Sequence, residues 1–133
     1  GQIIELLQNS DNIARAGMTN KNIDIDGLMK FMIFEHQPPH VLDGRRVGIE
    51  LFYDVPADEY LVSKITPQNS EPYKQTSYSA EILMGLEGKA TITANGQELE
   101  LGKGKSVIII ANTEYEIKGT KNDIIYRTSV PVK

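Results

Sequence analysis

The stretch EILMGLEGKATITANGQELELGKGKSVIII (residues 81–110) decides the fold class of this chain. Four short apolar-rich runs follow one another in it, and turns at 86–89, 95–96 and 101–105, each containing glycine, separate them. Asn95-Gly96 is a strong hairpin signal, because both positions of a two-residue hairpin turn need a positive φ. The stretch therefore predicts consecutive antiparallel strands.

The rest of the chain extends this pattern in both directions. Alternating apolar and polar residues predict further strands at 2–8, 47–55, 60–66, 115–118 and 124–130. One helix is expected at 24–33, where Asp24 is a suitable N-cap and Ile25, Leu28, Met29 and Met32 share one face. The sequence thus predicts an all-β sandwich or barrel with one short helix.

Composition narrows the functional classes. The 133 residues have the length of one domain, and a net charge of −4 argues against a nucleic-acid partner. There is no cysteine, which excludes disulfides and thiolate metal sites and fits a reducing cytoplasm. No apolar run approaches the roughly 20 residues of a membrane span, so no membrane partner is expected.

The order of turns in residues 81–110 resembles the core of a cupin. This family forms a double-stranded β-helix, or jelly roll, and its metal-binding members carry His-x-His ahead of a glutamate. The equivalent stretch here, YKQTSYSAE (residues 73–81), has no histidine. Prolines at 38 and 39 separate His36 from His40 and exclude a shared helical metal site. We therefore expect no metal to be bound by this chain alone.

A polar loop, NSDNIARAGMTNK (residues 9–21), lies near the start of the chain. By composition it is a turn-forming segment, and Arg15 in it could form a surface ion pair or serve a binding site. Surface ion pairs are the more frequent outcome, because polar loops are common and sites are few.

A family resemblance favours a binding site over a surface ion pair as the role of Arg15. GQIIELLQNSDNIARAGMTNKNIDIDGLMKFMIF (residues 1–34) and VPADEYL (residues 55–61) resemble type I mannose-6-phosphate isomerases, and the resemblance continues to the end of the chain. The matching positions in the first stretch are Gly1, Glu5, Ser10, Asp11, Asn12, Arg15, Ala16, Gly17, Thr19 and Lys21.

The resemblance implies a cytoplasmic zinc enzyme that interconverts mannose 6-phosphate and fructose 6-phosphate through a cis-enediol. Such an enzyme serves mannose breakdown or the supply of GDP-mannose. The position of Arg15 is the family's active-site arginine, and Asp11, Asn12 and Lys21 would contact the sugar phosphate. Asn20 replaces the usual proline before Lys21.

The resemblance also implies that important parts lie outside this sequence. The family's zinc ligands, a glutamine, two histidines and a glutamate, would precede Gly1, as would a serine and a lysine that contact phosphate. The chain is therefore predicted to be the C-terminal cupin domain of a longer isomerase, with an active-site strand, loop and helix at 1–46 and a β-sandwich at 47–133.

We therefore expect the isolated chain to be inactive. Zinc would be held by the N-terminal catalytic cupin half, which would be the partner of this chain. Two alternatives remain open: a non-catalytic cupin module that binds a sugar or sugar phosphate, and a domain that buttresses a partner domain. Self-association through an unpaired edge of the first strand is also expected.

Overall fold

The computed structural model describes residues 3–7, 9, 14–36 and 38–131. The chain divides into two compact units, an N-terminal unit of residues 1–40 and a β unit of residues 41–133. The predicted subdivision after residue 46 stays a prediction. Within the described part, no helix has the length and apolar character needed to cross a membrane.

The described residues of the β unit form ten strands in two antiparallel sheets. The strands are β1 Arg45–Val47, β2 Glu50–Tyr53, β3 Leu61–Ile65, β4 Tyr73–Thr76, β5 Glu81–Glu87, β6 Lys89–Ala94, β7 Gln97–Gly102, β8 Ser106–Ile109, β9 Glu114–Lys118 and β10 Ile124–Ser129. One sheet has the order β1-β2-β3-β10-β5-β8, and the other β4-β9-β6-β7. The predicted mostly-β class is confirmed.

The stretch that decides the fold supplies four of these strands. Asn95 and Gly96 have φ values of 51° and 73° and join β6 to β7 as predicted. Gly85 in β5 is required for a different reason, because a Cβ there would lie 2.5 Å from the carbonyl oxygen of Gly102. A side chain at residue 85 would therefore push β5 away from the end of β7.

The core of the β unit lies between the sheets. Inward-facing residues of both sheets are almost fully buried, and they are Ile65, Leu83, Ala90, Ile92, Leu101, Ile109, Tyr115, Ile117 and Ile125. Alternation along β5 and β10 places these residues inside and their neighbours outside. Burial of this apolar surface is the main term that stabilises the unit.

Two strand assignments differ from the sequence-based expectation. The prediction of a strand at 2–8 is wrong for the described residues 3–7, because they form no regular element. Ile3 and Leu7 are exposed. Its apolar residues occur in pairs around Glu5, which is a poor match to period-two alternation. The structure also contains β4, where Lys74 forms an ion pair with Glu116 across the β4–β9 ladder.

The N-terminal unit contains the helix α1, Ile25–Phe31, as the only helix among the described residues. Asp24 is its N-cap, and its carboxylate accepts a hydrogen bond of 2.9 Å from the Gly27 N–H. None of the helical residues is buried. The predicted short helix is confirmed, although it is shorter than the predicted range of 24–33.

Candidate functional site

Arg15 lies in a concavity of the N-terminal unit. The cavity has a volume of about 430 Å³ and is lined by Ala14, Arg15, Asn22, Asp24, Gly27, Leu28 and Phe31. Asp24 therefore has two roles here, since it caps α1 and contributes to the cavity wall. Among the described residues Arg15 forms no ion pair, and it contributes to the wall of this cavity.

The other candidate residues of the loop are placed differently. Lys21 is exposed and does not contribute to the wall of the Arg15 cavity, and its backbone N–H donates to the Thr19 hydroxyl at 3.2 Å. Asp11 and Asn12 lie outside the described residues. The structure thus places Arg15 and Asp24 in the wall of one cavity and does not bring Lys21 to that cavity.

A second group of polar side chains lies inside the β unit, and we call it the Arg127 cluster. It consists of Glu50, Ser63, Glu81 and Arg127 from the six-stranded sheet, with Tyr73 and Tyr115 from the four-stranded sheet. Arg127 is only 5% exposed, and Glu50 and Glu81 are also buried. Six polar groups therefore share one interior site.

Glu50 has the shortest contacts of the cluster. Its carboxylate lies 2.7 Å from Arg127 Nη2 and accepts hydrogen bonds from the Ser63 hydroxyl at 2.5 Å and the Tyr73 hydroxyl at 2.6 Å. Glu81 accepts from the Tyr115 hydroxyl at 2.7 Å and lies 3.5 Å from Arg127 Nη1. Both buried carboxylates are thus compensated by one guanidinium and by hydroxyl donors.

The electrostatics of the cluster keep its two tyrosines protonated. Burial, and then the hydrogen bond to Glu50, raise the pKa of Tyr73 far above its ordinary value of 10.0. Burial and the hydrogen bond to Glu81 raise the pKa of Tyr115 in the same way. Because each hydroxyl keeps its proton, each continues to donate to its carboxylate and joins the four-stranded sheet to the six-stranded one.

With the two sheets and both sites described, the chain can be compared with known proteins. The model of the family "Mannose-6-phosphate isomerase, cupin domain" matches residues 55–127. The chain belongs to this family. The predicted relationship and the cupin jelly roll are therefore confirmed.

Curated relatives and solved structures agree with this family. The chain is 38% identical over 114 residues to mannose-6-phosphate isomerase of Escherichia coli (strain K12), a match that covers 84% of the chain and 29% of the relative. The Mus musculus enzyme is 30% identical, with 96% and 33% covered. A crystal structure of an alanine mutant of phosphomannose isomerase from Salmonella typhimurium superposes with a TM-score of 0.79 at 31% identity, with 93% of the chain and 32% of that structure covered.

The chain therefore spans about a third or less of the length of these relatives and corresponds to their C-terminal portion. Each relative thus contains a long segment in addition to the part that this chain matches. For this chain, the activity of the whole relatives is only a proposal.

The interior of this cupin does not fit a zinc ion. The resemblance to metal-binding cupins aligns Glu81 with the glutamate of their motif, but Tyr115 and Arg127 already engage both of its oxygens. Glu50 is engaged in the same way, and the guanidinium supplies the positive charge that a metal would bring. Within the described ranges no group of three or more His, Cys, Asp or Glu residues could hold a metal ion, and His36 and His40 are exposed.

Sequence reasoning missed the Arg127 cluster, although a signal was present. Glu50, Glu81 and Arg127 occupy positions of β2, β5 and β10 where alternation directs side chains inward. A charged residue at an inward position of a strand indicates a buried partner of opposite charge. The partners themselves come from strands up to 77 positions apart (50 to 127) and are not visible in local pattern.

Proposed function

We propose that the chain forms one wall of the active site of an isomerase that interconverts mannose 6-phosphate and fructose 6-phosphate through a cis-enediol. The observation that carries the proposal is the position of Arg15 in the wall of a concavity of a chain from this family. The names of the relatives support the substrate pair.

The reaction moves a proton between C1 and C2 of the open-chain sugar, and negative charge develops on an oxygen of the enediol. A fixed guanidinium beside that oxygen stabilises the transition state, because it keeps its charge and donates in a rigid planar array. The same group can bind a phosphate oxygen with two parallel hydrogen bonds. We assign Arg15 to the substrate on these grounds.

Asp24 gives the cavity a second function. Asp24 lines the same cavity as Arg15, and its carboxylate holds the first turn of α1. A carboxylate in this place can accept a hydrogen bond from a sugar hydroxyl, whereas a phosphate would be repelled by it. The cavity therefore orients a sugar with hydroxyls toward Asp24 and its anionic oxygen toward Arg15. Asp11, Asn12 and Lys21 are proposed as further contacts on the resemblance alone.

The zinc of this enzyme class supplies Lewis-acid stabilisation of the same developing charge when it is bound. We assign its ligands to the part of the isomerase outside this chain, since the cupin interior here does not accept it. The chain by itself should then show no turnover of mannose 6-phosphate, with or without added zinc, in a coupled assay for fructose 6-phosphate. Measurable zinc-dependent turnover by the 133-residue chain would contradict this division of labour.

The decisive experiment removes the guanidinium from the complete isomerase polypeptide. Arg15→Met should lower kcat/KM for mannose 6-phosphate by about 10²–10³-fold, the usual cost of one donor to a developing oxyanion. Arg45→Met is the matched control, because Arg45 is an exposed arginine that contacts Asp54 at 3.5 Å in the β unit. A variant at residue 15 that retains the activity of the control would remove Arg15 from the site.

A further inference from the structure

Gly27 lies in the first turn of α1, where a glycine is unfavourable. It is the third residue of the helix, and glycine loses more backbone freedom on folding than any other residue. Its φ is not among the positive values of the chain, so the backbone conformation does not require a glycine here. The reason for the glycine must therefore lie in the space around its Cα.

The Asp24 carboxylate occupies the space that a side chain at residue 27 would fill. A Cβ added to Gly27 would lie 2.3 Å from Asp24 Oδ2, 2.8 Å from Cγ and 3.3 Å from Oδ1. The first two distances are well below van der Waals contact, so an alanine at residue 27 and the observed carboxylate cannot coexist. Only a glycine permits this orientation of Asp24.

The two carboxylate oxygens of Asp24 have different surroundings. Oδ1 accepts the hydrogen bond of 2.9 Å from the Gly27 N–H that caps α1. Oδ2 takes no part in that bond and lies where the Cβ of residue 27 would be. An ordinary N-cap leaves room for a side chain three residues later, and in a capping box that side chain is a glutamate or glutamine. The carboxylate is thus turned further toward residue 27 than capping requires.

Both residues line the cavity that contains Arg15. Because Gly27 has no side chain, its part of the wall consists of backbone, and the Asp24 carboxylate lies against it. A methyl group on residue 27 would narrow the cavity and turn the carboxylate at the same time. The glycine therefore determines both the shape of this wall and the direction of its negative charge.

We propose that Gly27 is a positioning residue of the Arg15 cavity. Its missing side chain lets the Asp24 carboxylate lie across the first turn of α1, where Oδ1 holds the helix and Oδ2 accepts a hydrogen bond from a hydroxyl group of the sugar. An ionised carboxylate can only accept, so its partner must be a donor such as a hydroxyl. This inference rests on the proposed function and deepens it, because it names the atom that recognises the hydroxyl and the residue that positions this atom.

A role in the helix alone predicts a different result for Gly27→Ala. Alanine is the better helix former, so the substitution would then stabilise α1 and leave substrate binding unchanged. In the proposal the carboxylate must rotate away from residue 27, and the contact with the sugar is lost although the helix remains folded. Substrate affinity and stability therefore respond separately.

Steady-state kinetics of the complete isomerase test the proposal. Gly27→Ala should raise KM for mannose 6-phosphate by about ten-fold, the cost of one hydrogen bond to a charged group, and leave kcat within about two-fold, because ground state and transition state share this contact. The midpoint of thermal unfolding should not fall. Gly102→Ala in β7 is the matched control, since a Cβ there meets nothing within 4 Å, and its KM should equal that of the parent.

A double-mutant cycle determines whether Gly27 acts through Asp24. Asp24→Ser retains a good N-cap but has no second oxygen, so it should raise KM to a similar extent. Adding Gly27→Ala to Asp24→Ser should raise KM no further, because the oxygen that the methyl group displaces is already absent. If the two KM effects multiply instead, Gly27 affects the substrate independently of Asp24 and the proposal is overturned.

The kinetics also separate this inference from the proposed function. If Arg15→Met lowers kcat/KM while Gly27→Ala leaves KM unchanged, the cavity is the substrate site and the positioning role of Gly27 is overturned. If neither variant changes the kinetics, the proposed function fails and this inference fails with it.

Discussion

Arg15 and Arg127 are the same residue type in opposite situations. Arg127 is buried between two carboxylates, and its neighbours satisfy its donors within the β unit. Arg15 lines an open cavity in the N-terminal unit and has no ion-pair partner among the described residues. The difference separates a guanidinium that stabilises a fold from one that lies in the wall of a cavity, where we propose that it contacts a ligand.

Burial gives Arg127 its structural role. Its guanidinium also lies 5.8 Å from the Phe52 ring centroid, so an aromatic face covers one side of it. Although burial works against the charged form, the neighbouring Tyr73 and Glu50 hold the pKa of Arg127 above its ordinary value. An arginine so enclosed cannot exchange its partners for a substrate.

The largest effect should follow loss of the buried arginine. Arg127→Ala leaves Glu50 and Glu81 as uncompensated buried carboxylates, and we expect it to lower the free energy of unfolding by about 3–5 kcal/mol. Chemical denaturation of the purified chain measures this. Arg45→Ala, which removes an exposed ion pair, should change it little.

A rescue variant sharpens the same prediction. Adding Glu50→Gln and Glu81→Gln to an Arg127→Met chain removes all three charges and should recover part of the lost stability. If the triple variant is less stable than Arg127→Met alone, charge compensation is not the function of Arg127.

A smaller effect is expected at high pH. Tyr115 has its pKa raised in the folded state by burial and by Glu81, so the folded protein holds its proton more tightly than the unfolded chain. The corresponding stability is complete below the unfolded pKa near 10 and is lost as pH rises above it, by on the order of 1.4 kcal/mol per pH unit. Denaturation at pH 9, 10 and 11 should show this fall.

Tyr115→Phe supplies the control for the pH experiment. The variant lacks the titrating hydroxyl, so its stability should fall less steeply between pH 10 and 11 than that of the parent chain. Identical slopes for both proteins would show that Tyr115 does not control the high-pH behaviour.

The smallest effect should come from Arg15, which is partly buried. Arg15→Met should shift the free energy of unfolding by less than about 0.5 kcal/mol, because substitutions near the surface that break no buried pair, cap or core contact have effects of this size. Together with the expected loss of activity, this would assign Arg15 to the ligand rather than to the fold. A destabilisation close to that of Arg127→Ala would erase the contrast between the two arginines.

The elements that could be predicted from sequence are those with local causes. Asn95-Gly96 determines the β6–β7 hairpin through the φ values that its two residues adopt, and Asp24 marks the start of α1 through its own capping bond. Strand β4 escaped prediction because YKQT has no apolar alternation and is held by its pairing with β9. The pairs of apolar residues in 3–7 had the opposite effect, because they led to the prediction of a strand that the structure does not contain at these residues.

By itself, the sequence determined the class of fold, the order of its turns and the family to which the chain belongs, because turn conformations and motif spacing depend on residues close together in the chain. Only the tertiary structure decided that Glu50, Glu81 and Arg127 meet, and that one row of cross-strand neighbours on the six-stranded sheet, from Ile108 to Tyr53, has no charged side chain. Those features arise from strand register, which joins residues far apart in the sequence and is set by the packing of the whole β unit.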